Sequence, residues 1–214
     1  MSRVILVALF LLGLLSESSI AAASAPRWGD VTGPVTATSL GIRIPTTLAQ
    51  VATLTRADEQ RIRGAVTARL SEVEALIATG AVAVRSEVVS AQAFPPKRGL
   101  FSLRATHLFS AAACGIWWVD WPGSGTQVRG GGWTRSNQTA SLGVSPAKFF
   151  KDGSHISSFN ISTTGTNAEN YTDWDWRAWW EPQHNYVVQS WHFIYAPGGG
   201  YDYGPAYCEY QAFK

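Results

Sequence analysis

Apolar residues recur at helical spacing in one stretch of the first half of the chain. Thr55 and Asp58 precede this stretch with the spacing of a capping box. Behind them apolar side chains follow at intervals of three or four residues, at Ile62, Val66, Leu70, Val73 and Ile77. Gly80 comes next, where a glycine often ends a helix. The pattern predicts one long amphipathic α-helix over about residues 56–79, whose apolar face must be buried against another element.

After residue 100 the apolar pattern shortens to alternating runs that are separated by turns rich in glycine and proline. Period-two alternation of this kind is typical of β-strands. The predicted strands cover residues 82–89, 100–109, 115–121, 186–196 and 206–213. The run 186–196 is apolar on both faces, which indicates a central strand, whereas the three glycines at 130–132 indicate a flexible turn. We therefore predict a mainly β fold, in which an antiparallel β-sandwich or barrel-like C-terminal domain follows the long N-terminal helix (α+β overall).

The composition of the chain changes near residue 98. Nine of the ten tryptophans and all seven tyrosines follow this point, where two consecutive prolines precede Lys97 and Arg98. Because consecutive prolines fit neither a helix nor a paired strand, this segment is interpreted as a linker. The predicted units are an N-terminal segment over residues 24–98 and a tryptophan-rich domain over residues 99–214. The dibasic pair is consistent with cleavage of the first unit as a pro-segment, and equally with an ordinary basic loop.

The first 23 residues have the order of a secretory signal peptide. Arg3 provides a short basic start before the uncharged apolar run 4–15, and Ala21 and Ala23 have the spacing of a cleavage site. The twelve residues of the apolar run would extend about 18 Å as a helix, less than the roughly 30 Å hydrocarbon core of a bilayer. We expect a secreted, extracellular protein whose contacts with a membrane, if it makes any, do not involve a transmembrane segment.

Cysteines and glycosylation patterns agree with secretion. Cys114 and Cys208 are the only cysteines, and such a pair in a secreted chain is most simply one disulfide, with two free thiols as the alternative. The acceptor pattern for N-glycosylation occurs at Asn137, Asn160 and Asn170, and in a eukaryotic host it predicts exposed glycosylated loops. The mature chain is therefore expected to be an oxidised glycoprotein.

The charge and the motifs of the chain narrow its chemistry. A net charge of +2 over 214 residues gives no electrostatic footprint for nucleic acid. The four histidines have no metal-ligand spacing, and the sequence contains no phosphate-binding or dinucleotide-binding motif. No pattern nominates a catalytic nucleophile. An enzyme is therefore less well supported than a binding protein, and no metal or cofactor is expected.

Residues 171–181, YTDWDWRAWWE, place four tryptophans within seven positions among charged side chains. As a strand, this segment would present Trp174, Trp176 and Trp180 on one face. As a helix, it would be capped by Thr172 and stopped by Pro182. Tryptophan is more favourable in strands than in helices, so we favour the strand.

The same cluster has two interpretations. Buried aromatic side chains dominate the cores of β-sandwiches, and packing explains most of the tryptophans. Tryptophan beside acidic and basic groups also suits a sugar site, since the ring stacks on a pyranose while the charged groups bind its hydroxyls. The candidate ligand-binding residues are Trp133, Asp173, Trp174, Asp175, Trp176, Arg177, Trp179 and Glu181. The expected function is non-catalytic recognition of a glycan or another cell-surface ligand.

Two other functions remain consistent with the sequence. The Ser/Thr-rich stretch 153–167 has the composition of an amphipathic hairpin that refolds into a membrane, as in a pore-forming protein. A secreted hydrolase would instead use a pair of carboxylates among the tryptophans. The carboxylates available for such a pair are Asp120, Asp173, Asp175 and Glu181.

Overall fold

The computed structural model of the protein describes residues 24–91, 110–195 and 202–214. Within these ranges the chain forms three helices and then seven strands. The helices are α1 (Leu48–Val51), α2 (Arg56–Ala68) and α3 (Leu70–Ala78). The strands are β1 (Arg85–Ala91), β2 (Ser110–Trp121), β3 (Gly125–Lys151), β4 (Ser154–Tyr171), β5 (Asp175–Ala178), β6 (Asn185–Tyr195) and β7 (Asp202–Phe213). The predicted signal peptide, linker and strand 100–109 lie outside the described residues, and no helix of the described part is long and apolar enough to cross a membrane.

The prediction of one long helix over residues 56–79 is wrong, because α2 and α3 are separate. The capping box is present: the Thr55 hydroxyl accepts from the Asp58 backbone, and the Asp58 carboxylate accepts from the Thr55 backbone. The helix is interrupted at Arg69, whose φ and ψ are −100° and 7°. The Arg69 side chain turns inward, leaving the residue 8% exposed, and donates to Glu72 at 2.8 Å. The apolar stripe nevertheless continues through the break, since Ile62, Val66 and Val73 are all buried.

Strand β3, 27 residues long, organises the sheet. All strand pairs are antiparallel, and the order is β1-β2-β3-β6-β7, with β4 and β5 also paired to β3. One edge of β3 pairs with β2 over residues 125–136 and then with β6 over residues 141–151. The glycines at 130–132, predicted as a turn, lie inside β3. The prediction that residues 186–196 form a central strand is confirmed, because β6 lies between β3 and β7.

The sheet curls until its outer strands meet, which gives an antiparallel, nearly closed barrel. Cys114 of β2 and Cys208 of β7 form the predicted disulfide, with their Cα atoms 5.9 Å apart. Glu87 of β1 accepts from the Tyr210 hydroxyl at 2.5 Å and from the Lys214 ammonium at 2.7 Å. The mainly β, barrel-like architecture predicted for the C-terminal part is therefore confirmed.

Alternation along each strand separates the interior of the barrel from its outer face. The interior is filled by side chains such as Ile116, Val128, Leu142, Phe149, Val188 and Ile194, all fully buried. On the outer face, α2, α3 and the segment around Leu40 pack against Trp121, Trp176 and Ala178. The N-terminal segment and the sheet thus share one apolar cluster, and α3 lies against the strands that carry the candidate site.

Candidate functional site

A groove of about 340 Å³ opens on the outer face of the barrel, where α3 meets β3 and the end of β4. We define the aromatic groove by six of its lining residues: Glu74, Arg129, Asn170, Tyr171, Asp173 and Trp174. It combines two aromatic rings with acidic, basic and amide groups. The groove is therefore the place where the structure assembles the mixture of residue types that the sequence suggested for a ligand site.

Arg129 holds the centre of the aromatic groove. Its guanidinium carbon lies 3.9 Å from the centroid of the Tyr171 ring and 4.3 Å from that of the Trp174 ring, within cation–π range of both. One of its terminal nitrogens also forms an ion pair with the Glu74 carboxylate at 3.1 Å. Burial lowers the pKa of the Arg129 guanidinium, although Glu74 opposes that shift. The side chain is consequently fixed by two rings and one carboxylate.

Helix α3 orients the tryptophan of the groove. The Trp174 indole nitrogen donates to the Glu74 carboxylate at 2.6 Å, and the same carboxylate oxygen accepts from Arg129. Glu74 lies off the buried stripe of its helix and therefore reaches the sheet from the solvent side of α3. A single carboxylate thus ties together the helix, strand β3 and the segment after β4.

Tyr171 lies against Trp117 at the level of Gly131. The two ring centroids are 5.0 Å apart and the ring planes are nearly perpendicular. The Tyr171 hydroxyl donates to Glu169, and burial together with this hydrogen bond raises the pKa of Tyr171 to about 12. The phenol therefore remains a neutral hydrogen-bonding group throughout the physiological pH range.

Trp133 extends the groove along β3. Gly131 is the register partner of Tyr171, and Trp133, two residues further, is the partner of Glu169. The Arg135 guanidinium stacks on Trp133 at 4.3 Å from the ring centroid and pairs with Glu169 at 3.2 Å. The outward-facing side of β3 from Arg129 to Trp133, called the adjoining strip, spans four residues of strand, or about 13 Å. Along it, partly buried rings lie between the guanidinium groups of Arg129 and Arg135.

Three of the eight predicted ligand-binding residues lie together on this surface. Asp173 and Trp174 line the groove, and Trp133 belongs to the adjoining strip. The strand predicted over residues 173–180 is present in part, as β5 (Asp175–Ala178). Trp174 borders the groove and also packs against the buried cluster that contains Trp176. Trp176 is only 6% exposed and packs in the cluster under the helices, edge-on to Trp180 at 6.0 Å.

The other four predicted residues are engaged away from the groove. The Trp179 indole donates to the Pro45 carbonyl at 2.8 Å. The Asp175 carboxylate accepts from the Tyr186 hydroxyl at 2.6 Å and pairs with Lys151 at 2.9 Å. Arg177 donates to the Glu181 carbonyl at 3.1 Å, and the Glu181 carboxylate pairs with Arg63. These groups bind one another and tie β5 to the barrel and to α2.

The Asp175 carboxylate affects the pKa of Tyr186, whose hydroxyl donates to it. Its ring is fully buried in the barrel and stacks on Phe149 at 5.4 Å. Burial and the adjacent Asp175 carboxylate raise the pKa of Tyr186 far above its ordinary value. The hydroxyl is therefore a permanent donor to Asp175. Among the described residues, no group of three or more His, Cys, Asp or Glu side chains is arranged to hold a metal ion.

The three asparagines of the glycosylation patterns are exposed on the β3–β4 hairpin. Asn137 lies in β3, and Asn160 and Asn170 lie in β4. The Asn160 side chain accepts from the Ser145 hydroxyl at 3.0 Å. The Asn170 side chain accepts from the Tyr171 backbone N–H at 2.9 Å and lines the groove. Their use as acceptors stays a prediction.

Sequence reasoning missed most of the groove: Glu74, Arg129 and Tyr171, together with the adjoining Trp117. Of these, Trp117 had the clearest signal, since it alternates with inward residues on strand 115–121. Arg129 had none, because the glycines that follow it resemble a turn. Glu74 is separated from Trp174 by 100 residues, and no local pattern connects the two.

Comparison of this chain with protein-family models, with curated proteins and with solved structures gives no match. The groove itself bears on function through the faces of its rings, the partners of its charged groups and the fixed positions of its side chains.

Proposed function

We propose that the protein is a secreted, non-catalytic recognition protein that binds glycans of a cell surface in the aromatic groove. The observation that carries this proposal is the placement of Arg129 between Tyr171 and Trp174. Aromatic rings and charged groups meet there at one concave surface, which is the usual anatomy of a small-ligand site.

The chemistry of a sugar matches the groups of the groove. The C–H face of a pyranose packs on an aromatic ring, while its hydroxyls need acceptors and donors close by. Asp173 is exposed, and the Ser157 hydroxyl donates to one of its carboxylate oxygens at 3.1 Å, which leaves the other oxygen for a ligand. Stacking would supply affinity and the polar groups would select the orientation of the sugar.

The groove is built to bind without rearranging. Arg129 and Trp174 are both held by Glu74, and Tyr171 is held by Glu169 and by Trp117. Side chains that are already ordered lose little conformational entropy when a ligand arrives. This pre-organisation supports recognition by a preformed surface.

The pairing of the carboxylates favours binding over hydrolysis. A glycosidase needs one carboxyl group free to donate a proton and a second one facing it across the sugar. Asp175 is paired with Lys151, Glu181 with Arg63, and Asp120 lies 3.4 Å from Arg85. Asp173 is the one member of the predicted set that lines the groove.

A disulfide between β2 and β7 fits an oxidising compartment, as does the predicted signal peptide. Secretion and N-glycosylation therefore belong to the same proposal. Expression in a eukaryotic secretory host tests both, since the mature protein should lack residues 1–23 and should lose mass when treated with an N-glycosidase.

A glycan array probed with the purified mature chain tests the binding function. We expect retention of a limited set of glycans, and a loss of about tenfold or more in affinity for Asp173→Asn, because a hydrogen bond to a charged group contributes about 1.5–3 kcal/mol. Trp174→Ala should abolish binding, whereas Trp174→Phe should keep part of it by preserving a stacking face.

The matched control is Asp120→Asn, which makes the same change at a carboxylate that does not line the groove. This variant should bind like the unmodified chain. The proposal fails if no glycan is retained, or if Asp173→Asn and Trp174→Ala both fold and bind as well as Asp120→Asn.

A further inference from the structure

The outer face of β6 and β7 carries a second group of aromatic side chains, remote in sequence from the groove. Trp191 of β6 and Tyr207 of β7 are register partners with ring centroids 4.9 Å apart. Phe193 and Tyr195 continue along β6 with centroids 5.5 Å apart. We call these four residues the β6–β7 patch. Tyr195 is 49% exposed and Tyr207 is 47% exposed.

The interior of the barrel is filled without these rings. The opposite face of β6 already fills the interior, where Val188, Ser190, His192 and Ile194 are fully buried. The helices pack on a different part of the outer face, against Trp121 and Trp176. Adjacent outward aromatic residues on a sheet are typical of an interaction surface.

Gly143 of β3 lets the patch lie flat. A Cβ atom at this position would be 2.4 Å from the Cζ atom of Phe193 and 2.3 Å from the Ile161 carbonyl oxygen. The Phe193 ring therefore lies across β3 at Gly143, in the space that a side chain there would occupy. The result is a broad, low aromatic surface and not a cleft, which suits a flat partner.

The charges around the patch decide which flat partner it fits. The row next to Trp191 runs across three strands as Lys148, Gln189 and Glu209, so it carries one positive and one negative group. Gln189 donates to Glu209 at 2.9 Å, and the Tyr207 hydroxyl donates to the same carboxylate. This described row thus has no excess of positive charge, which an anionic lipid surface would require.

We propose that the β6–β7 patch is a membrane-contact surface that binds the interfacial region of a neutral, zwitterionic bilayer. Tryptophan and tyrosine are the residues that this region favours, because their rings combine an apolar body with a polar edge. The exposed rings of Tyr195 and Tyr207 and the partly exposed rings of Trp191 and Phe193 supply the apolar contact. The contact is shallow and uses the folded barrel. It does not depend on the proposed glycan site.

Co-sedimentation of the full chain with phosphatidylcholine vesicles tests the proposal. We expect binding to pure phosphatidylcholine, and no strengthening when phosphatidylserine is added. The double variant Trp191→Ala, Tyr207→Ala should partition about tenfold or more weakly, because it removes two large rings from the contact. The control is Val31→Ser with Leu48→Ser, which removes exposed apolar side chains from the N-terminal segment and should leave binding unchanged.

A second measurement covers the case in which the double variant does not fold. Phosphatidylcholine brominated in its acyl chains should quench part of the tryptophan fluorescence of the unmodified chain. Trp191→Phe preserves the packing and removes the indole of the patch, so this quenching should largely disappear while vesicle binding persists.

Three results would overturn the proposal. One is no binding to phosphatidylcholine, and another is binding that appears only with phosphatidylserine. The third is concentration-dependent self-association that the double variant abolishes, which would assign the patch to a second copy of the chain. Asp173→Asn should leave vesicle binding intact, so failure of the membrane contact and failure of the glycan site are separable.

Discussion

The Nδ1 atom of His192 lies 3.0 Å from the Thr134 hydroxyl oxygen inside the barrel, and the hydrogen bonds around this pair assign the tautomer of the imidazole. The Thr134 hydroxyl donates its proton to the Gly143 carbonyl at 2.8 Å, so it must accept from His192. Nδ1 therefore carries the hydrogen. The other ring nitrogen, Nε2, accepts from the Ser190 hydroxyl at 2.7 Å. Both nitrogens of the neutral ring are satisfied, so the interior accommodates the uncharged imidazole.

The buried imidazole predicts that the protein loses stability in acid. Burial lowers the pKa of His192 from 6.5 to about 4. Between these two values the unfolded chain binds a proton that the folded chain does not, so the free energy of unfolding falls as the pH falls. Above pH 6.5 this group costs the folded state nothing. At about pH 4 the loss in the free energy of unfolding reaches about 3 kcal/mol.

Urea unfolding at a series of pH values between 7 and 4 measures this loss. His192→Gln cannot take up the proton, so its unfolding free energy should depend less on pH than that of the unmodified chain. His155→Gln is the matched control, since it makes the same replacement at an exposed position on β4. Equal slopes for His192→Gln and His155→Gln would contradict the assignment.

The disulfide predicts a second stability difference. Cys114 and Cys208 are 94 residues apart, and in the chain-entropy model a bond across a loop of this length stabilises the fold by about 4–5 kcal/mol. Cys114→Ala with Cys208→Ala should lower the free energy of unfolding by about that amount. The unmodified chain in reductant should approach the same value. An unfolding midpoint that reductant does not change would show that the bond contributes nothing.

The buried face of the helical segment could be predicted from sequence, but the break in it could not. Ile62, Val66 and Val73 are buried as their spacing indicates, because periodicity reports which side of a helix meets the core. Arginine is a good helix former, and nothing in the periodicity changes at Arg69. The interruption arises from tertiary structure, where the Arg69 side chain is drawn inward and bonded to Glu72.

The candidate site was predictable only where its residues are neighbours in sequence. Asp173 and Trp174 stand together, and their combination of carboxylate and indole indicates a polar aromatic site. The same local pattern does not tell which of its side chains are buried. Trp176 was therefore an equal candidate, although it lies in the core. Arg129 and Glu74 come from other elements, and only the folded chain brings them to Trp174.

The absence of a side chain at Gly131 leaves room for two packed rings beside the aromatic groove. A Cβ atom at this position would be 2.5 Å from Cδ1 of Tyr171 and 2.7 Å from Cζ3 of Trp117. Gly131→Ala must therefore displace one of two packed rings, and overpacking of this kind costs about 1–3 kcal/mol. Since Tyr171 is one wall of the Arg129 stack, its displacement should also weaken ligand binding in the groove.

Urea unfolding and near-ultraviolet circular dichroism of Gly131→Ala measure these effects, the second because it reports the packing of aromatic rings. Gly165→Ala is the matched control, since a Cβ atom there meets nothing within 4 Å and the same change in β4 should be neutral. If Gly131→Ala matches Gly165→Ala in both measurements, the rings do not pack over Gly131 as described. The groove would then lack the wall on which its proposed function depends.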